Sequence, residues 1–304
     1  MAANPPARDS VTRKSLLPAA RAIAAVAAVA LATSPAAGTS GARRPASLFD
    51  YDRSAPLEVA WGKTSVAHNI AHQDLKFSAA KGARVAAYFV HPLAGARWPL
   101  VIWTPGRGGD RREELGDADA LARNGVASLL VDPPALEVIT CNPAKDLAIF
   151  TRYVVGRRRA VDLALTLPNV DGKRIAAAGF SYGASVTAVL AGVEHRIRAF
   201  ALKSGRAHHT GFMRLACPQL GEMKLDAYVE TLSAIDPINW VEKATGPAFL
   251  IQDGTRDPFN PRADVLALYR AAHGPKELRF YTADHPLNAT ATAYRTRWLL
   301  RQLR

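Results

Sequence analysis

The chain has 304 residues, 49% of them hydrophobic, which is enough to bury the core of one large α/β domain. Its formal charge of +13 would suit an anionic partner, yet the basic residues are scattered, with Arg157-Arg158-Arg159 and Arg111-Arg112 the only tight groups of the body. Aromatic residues for base stacking are not interleaved with them, so the charge reads as a solvated basic surface and no nucleic-acid partner is expected.

Residues 1–36 read as a targeting segment. Arg8, Arg13, Lys14 and Arg21 precede the apolar run 22–32, and Ser34-Pro35-Ala36 or Ala30-Leu31-Ala32 would each suit a signal peptidase. The run is short for a bilayer, so no stable membrane span is expected once it is removed. Thr12-Arg13-Lys14-Ser15-Leu16-Leu17 resembles a twin-arginine signal with Lys in place of the second Arg. The expected location is therefore outside the cytoplasm of a bacterium, periplasmic or secreted; an Ala-rich tail or an uncleaved anchor is the alternative. Residues 37–56, rich in Gly, Ser, Pro and Arg, read as a linker, and 57–304 as the folded domain.

Two early strands are expected near 57–61 and 84–90. The buried strand 99–105 then runs into the turn Gly106-Arg107-Gly108-Gly109. A helix over 112–124 closes at Gly125, and 126–131 is the next apolar strand. The pattern from 135 to 151 is unclear. A helix over 153–167 leads through Asn169-Val170-Asp171-Gly172 to a strand ending at Phe180, and a helical run of small residues covers 185–193. Residues 197–202 form the following strand. Sheet periodicity is then lost over the insertion 203–245, apart from a helical stretch near 226–232, and so long an excursion reads as a lid. Strand 249–253, helix 264–272, strand 277–281 and helix 288–303 complete an alternation that argues for a doubly wound, mostly parallel sheet.

The chemistry concentrates at strand ends. Gly179-Phe180-Ser181-Tyr182-Gly183 joins a strand to a helix through one tight turn, the context of a nucleophile elbow. The serine there must adopt a strained backbone, and side chains at 179 or 183 would collide with the neighbouring helix and strand. A serine hydroxyl needs a base, and the base needs an acid to orient it. His285, after the last strand, is the best placed of eight histidines, and Asp257 follows the preceding strand; Asp253 and Asp284 are its rivals. The oxyanion-hole donors expected are the amides of Tyr182 and Arg107. His208-His209 lacks a third ligand at a recognisable spacing, so neither a metal nor any other cofactor is expected. Trp61, Trp98, Trp103, Trp240 and Trp298 read as core residues.

With these blocks in hand, the chain resembles the α/β-hydrolase superfamily, near its dienelactone-hydrolase-like and acetylhydrolase-like serine esterase branches. Residues 99–112 resemble the oxyanion-loop block, 158–184 the helix–strand–elbow block, and 249–260 with Asp284-His285 the acid and histidine blocks. The resemblance covers roughly 55–304 and implies an α/β-hydrolase fold with a lid-like insertion, and an exported serine hydrolase that cleaves small ester substrates through an acyl-enzyme. Pro105 stands where many relatives have His, and Ser181 where true dienelactone hydrolases have Cys. A serine peptidase of the prolyl-oligopeptidase type and a catalytically inactive binding module are the alternatives, and the oligomeric state is not legible. Two cysteines, Cys141 and Cys217, fall in segments that leave the sheet at its C-terminal end. In an exported protein they are expected to pair across the insertion, the alternative being two buried free thiols.

Overall fold

The computed structural model describes residues 47–79, 82–95, 97–135 and 138–304. The expected targeting segment 1–36 and residues 37–46 of the expected linker lie outside them. Among the described residues nine strands form one sheet: β1 Ala60–Ala67, β2 Ile70–Ser78, β3 Arg84–Pro92, β4 Trp98–Thr104, β5 Ala127–Val131, β6 Val170–Phe180, β7 Ala199–Lys203, β8 Ala248–Gly254 and β9 Lys276–Tyr281. Their spatial order is β1-β2-β3-β5-β4-β6-β7-β8-β9. The pairings from β1 to β3, and of β3 with β5, are antiparallel, whereas every pairing from β5 to β9 is parallel. The helices are α1 Leu115–Ala122, α2 Pro143–Ala164, α3 Tyr182–Ala191, α4 Thr210–Ala216, α5 Gly221–Leu232, α6 Pro237–Val241, α7 Arg262–Ala271 and α8 Ala289–Gln302. This is the α/β-hydrolase fold, a doubly wound and mostly parallel sheet.

Alternation along the central strands divides the core into two layers. Leu100, Ile102, Ile175, Ala177, Phe200, Leu202, Phe249 and Ile251 pack toward residues of α2, α3, α6 and α7. Val101, Trp103, Ala176, Ala178, Ala199, Ala201 and Leu250 pack with Leu121 of α1 and with Trp298 and Leu299 of α8. Small residues in β6 let helices approach from both sides, and the order of connections reverses around β4 and β6. In a doubly wound sheet such a switch point opens a crevice at the strands' C-terminal ends. Arg107 follows β4 and Ser181 follows β6, so both stand at that crevice.

Several expectations need correction. The N-terminal part of the sheet holds three strands, not two. In β2 a single lysine, Lys76, separates the core positions Leu75 and Phe77, and His72, Gln73 and Asp74 sit between them and the buried pair Ile70-Ala71, which hides the period from a sequence reading. Helix α2 starts ten residues before the expected 153, at Pro143, where the Asn142 side chain accepts the Lys145 N–H at 3.0 Å. The compact unit takes in the described residues from Ser47 onward. Residues 47–56, expected in the linker, are therefore part of it: Phe49 is fully buried and its ring meets Trp240 edge-on at 4.9 Å.

The reading of Arg157-Arg158-Arg159 as solvated surface is also overturned, since all three are buried. Arg157 donates to the Val131 and Asp132 carbonyls at 2.6 and 3.2 Å and to Thr104 Oγ1 at 3.0 Å. Arg158 donates to the Phe49 carbonyl, and Arg159 to the Ala55 and Pro56 carbonyls. These guanidinia satisfy backbone groups that no ladder reaches. Trp61, expected in the core, is 47% exposed on β1.

The segment 203–245 is not irregular but helical, built from α4, α5, α6 and two single 3-10 turns at Pro218–Leu220 and Ser233–Ile235. Its helices are short and bury few residues each, Phe212 and Met213 in α4 and Leu225, Tyr228 and Leu232 in α5. Cys141 and Cys217 are joined by a disulfide, which ties the end of α4 to the approach of α2. A second tie lies beside it. Buried Asp146 accepts the Tyr228 hydroxyl at 2.6 Å and the Thr140 and Cys141 amides at 2.8 and 3.0 Å.

Candidate active site

Ser181 lies between β6 and α3 with φ 53° and ψ −118°, a left-handed backbone uncommon for a residue with a Cβ. The turn is held from both sides. A Cβ on Gly179 would collide with the Gly183 carbonyl oxygen and, at 2.5 Å, with Thr187 Oγ1. One on Gly183 would strike the carbonyl oxygens of Thr104 and Pro105 at the end of β4. The Ser181 amide donates to the Lys203 carbonyl at 2.9 Å, which extends the β6–β7 ladder through the strained residue. Strain of this kind persists only where surroundings over-determine it.

His285 Nε2 is 2.7 Å from Ser181 Oγ, and His285 Nδ1 is 2.6 Å from Asp257 Oδ2. A carboxylate can only accept, so Nδ1 carries the proton and Nε2 keeps a lone pair for the serine hydroxyl. Ser204 Oγ donates to the His285 carbonyl at 2.6 Å, and the rings of Phe180 and Phe259 stand 5.2 and 4.9 Å from the imidazole. The Asp257 side chain is fully buried and that of His285 is 14% exposed. Burial works against ionisation of Asp257. The His285 hydrogen bond and the Phe259 amide, 2.8 Å away, outweigh it and hold the carboxyl below its ordinary range. Such an arrangement can accept the serine proton and stabilise the imidazolium that results.

The rival acids stand elsewhere. Asp284 pairs with Arg256 at 3.0 Å on the surface. Asp253 is fully buried behind Asp257, accepting the Gly254 amide at 2.7 Å and the Asn260 Nδ2 at 3.1 Å. Asn260 also donates to Asp257 Oδ2 at 3.0 Å, so it bridges the two carboxyls, a role the sequence reading did not assign. Burial first, then the Asp257 charge, pushes Asp253 up to about 8.

The sign of that shift makes a prediction. With a folded value above the unfolded one, the native state holds a proton that the unfolded chain releases above pH 4. Stability is then lost as pH rises from about 4 toward 8, by up to about 1.4 kcal/mol per pH unit. Asp253→Asn, which keeps the acceptor for Gly254, is expected to flatten that part of a melting-temperature profile measured between pH 5 and 9. Parallel profiles for the two proteins would exclude this assignment.

The Tyr182 amide opens α3, and the Arg107 amide lies in the turn after β4. Neither has a protein acceptor among the described residues. The turn is braced by Glu113, whose Oε2 accepts the Gly106 amide at 2.7 Å. A Cβ on Gly106 would press on the Phe180 ring at 3.1 Å, and one on Gly109 would meet Glu113 Oε1 at 2.8 Å. Two free N–H groups, one of them at the positive end of a helix, can receive a developing oxyanion.

The insertion reaches the same neighbourhood through Phe212 of α4, whose ring centroid is 6.3 Å from that of Phe259. His208 and His209 turn to different carboxylates, Asp264 at 2.6 Å and Asp236 at 3.1 Å. A cavity of about 920 Å³ lies between residues 48–58, Ser78, Ala79 and α2, and none of Ser181, Asp257 or His285 lines it.

Comparison with known proteins adds three findings. Residues 58–238 match the family model described as esterase FrsA-like. An acetyl esterase of Xylanibacter ruminicola is 22% identical over 292 residues, an alignment that takes in 84% of this chain and 65% of that protein. The chain thus spans somewhat under two thirds of that relative's length. Among solved structures, an acetyl xylan esterase from Paenibacillus sp. superposes with a TM-score of 0.68 at 20% identity, covering 81% of this chain and 89% of that one. Acetyl xylan esterase 1 from Thermoanaerobacterium sp. gives 0.72 at 17% identity, covering 84% and 92%.

Proposed function

Because this chain belongs to the FrsA-like esterase family, we propose that it is an exported serine hydrolase that cleaves carboxylic esters, with acetyl esters the first class to test. The observation that carries this reading is the relay from Ser181 Oγ through His285 to Asp257, at 2.7 and 2.6 Å, at the mouth of a strained elbow. His285 Nε2 takes the Ser181 proton as Oγ attacks the ester carbonyl. The carbonyl oxygen becomes an oxyanion facing the Tyr182 and Arg107 amides. The tetrahedral intermediate then collapses; His285 returns its proton to the departing alcohol, and an acyl group remains on Ser181. Water loses a proton to His285 as it attacks the acyl carbonyl, and the second tetrahedral intermediate collapses as His285 returns that proton to Ser181 Oγ, which frees the acid and restores the serine. Asp257 holds Nδ1–H throughout and stabilises the imidazolium without taking the proton.

Acetyl groups are favoured by similarity to an acetyl esterase and to acetyl xylan esterases. Export is supported by the basic and apolar pattern of residues 1–36 and by the disulfide. No described helix is long and apolar enough to cross a membrane. A fluorophosphonate probe is expected to label the protein at Ser181, and a panel of p-nitrophenyl esters set against aminoacyl-anilides is expected to give turnover on the short acyl esters alone. Absence of labelling would leave a binding module, and turnover confined to the anilides would leave a peptidase.

A further inference from the structure

Arg206 follows β7, two residues beyond the serine whose hydroxyl holds the His285 carbonyl. It is only 3% exposed, and its Nε and Nη1 are buried without any hydrogen-bond partner among the described residues. Its guanidinium lies over the Phe212 ring, 4.0 Å from the centroid, and the exposed Arg107 guanidinium lies 5.7 Å from the same centroid. Phe212 leads through Phe259 to His285, so both cations border the wall of the candidate active site.

A buried guanidinium is ordinarily paired, because its desolvation is otherwise uncompensated. The acids that could serve Arg206 are committed to other donors. Asp257 is taken by His285, the Phe259 amide and Asn260; Asp253 by the Gly254 amide and Asn260; Asp264 by the Ala207 amide and His208. Burial pushes Arg206 down to about 10, with these three carboxyls opposing the shift, so it stays charged at neutral pH. The remaining contact, an aromatic face, favours a cation but satisfies none of its N–H donors. The fork of donors is thus left for something the described residues do not supply.

We infer that Arg206, with Arg107 beside the same Phe212 ring, receives a carboxylate on the substrate, making this enzyme selective for esters that carry a free acid group near the scissile bond. A planar carboxylate matches the guanidinium fork and would provide the missing hydrogen bonds. Arg206 is in this reading a specificity-determining residue; the chemical steps stay with Ser181 and its partners. The inference rests on the esterase reading above.

Matched substrates separate the two. The first pair is 4-acetoxybenzoate and 4-acetoxybenzamide, which place charge or no charge on the alcohol side of the same acetyl ester. The second is monomethyl glutarate and methyl 4-carbamoylbutanoate, which do so on the acyl side. In at least one pair the anionic ester is expected to show a kcat/KM about tenfold or more above its neutral partner, chiefly through KM and weakening with added salt. Arg206→Met is expected to bring that ratio near one, and Arg206→Lys to restore part of it. A residue that only supports the fold would lower both members of a pair alike and leave the ratio unchanged. If the neutral esters are cleaved and neither pair favours the anion in the wild-type enzyme, the inference is overturned and the esterase reading stands. If no member of either pair is cleaved while p-nitrophenyl esters also fail, the esterase reading itself falls.

Discussion

Ser181→Ala and His285→Ala are each expected to lower ester turnover by about 10⁶-fold, with melting temperatures close to that of the parent protein. The two losses should be similar because the relay acts as a unit: without the base the hydroxyl is a poor nucleophile, and without the hydroxyl the base has nothing to activate. Asp257→Asn is expected to cost less, about 10⁴-fold, since Ser181, His285 and the two free amides remain in part productive. An amide at 257 can offer an N–H where the carboxylate accepts one, which disfavours the tautomer that leaves Nε2 free. Asp284→Asn is expected to leave turnover within a factor of two or so, because its carboxylate is exposed and pairs only with Arg256, an interaction of small worth on a surface. Steady-state kinetics on one p-nitrophenyl ester checks all four. A harmless Asp257→Asn beside a crippling Asp284→Asn would reverse the assignment of the acid.

What was legible in the sequence follows from which signals are local. Strands β4 and β5 and residues 175–179 of β6 are buried on both faces, so each shows as an apolar run, and the glycines around Ser181 mark a turn that only small residues permit. Asp257 and His285 could be picked out because each follows the end of a parallel strand, where such a fold gathers its functional side chains. Strand β2 was hidden by the polar residues of its half-exposed middle. The insertion escaped because its helices are seven, twelve and five residues long and rest on a few long-range contacts, among them the Tyr228–Asp146 bond and the Cys141–Cys217 bridge. Charge misled in another way. A run such as Arg157-Arg158-Arg159 looks solvated until the tertiary structure supplies carbonyls for every guanidinium. Arg206 is the reverse case, since the absence of a partner for a buried guanidinium becomes visible only once every neighbour is placed.

The Cys141–Cys217 bridge should dominate the stability of the region around the insertion. It closes a loop with a sequence separation of 76, for which the chain-entropy model gives a stabilisation of about 4 kcal/mol. Cys141→Ala/Cys217→Ala is therefore expected to lower the melting temperature by roughly 10 °C, taking about 2–4 °C per kcal/mol for a domain of this size. Alanine is the suitable replacement because Cys217 is fully buried, and a serine hydroxyl there would add a desolvation cost of its own. The bridge joins the entrance of α2, just after β5, to the end of α4, the helix that carries Phe212. Loosening it should therefore reach substrate binding as well as stability. KM is expected to rise more than kcat falls, since Ser181, His285 and Asp257 are held by β6, β8 and the turns that follow β8 and β9 rather than by the insertion. The Tyr228–Asp146 hydrogen bond survives in the variant and should keep α5 near α2, which limits the loss to partial release of the helical insertion. Thermal melts with and without reductant, together with a thiol titration of the denatured, unreduced protein, decide the matter. No titratable thiol and a reductant-sensitive melt are expected; two thiols per chain, or a melt indifferent to reductant, would remove the bridge from any account of this protein's stability.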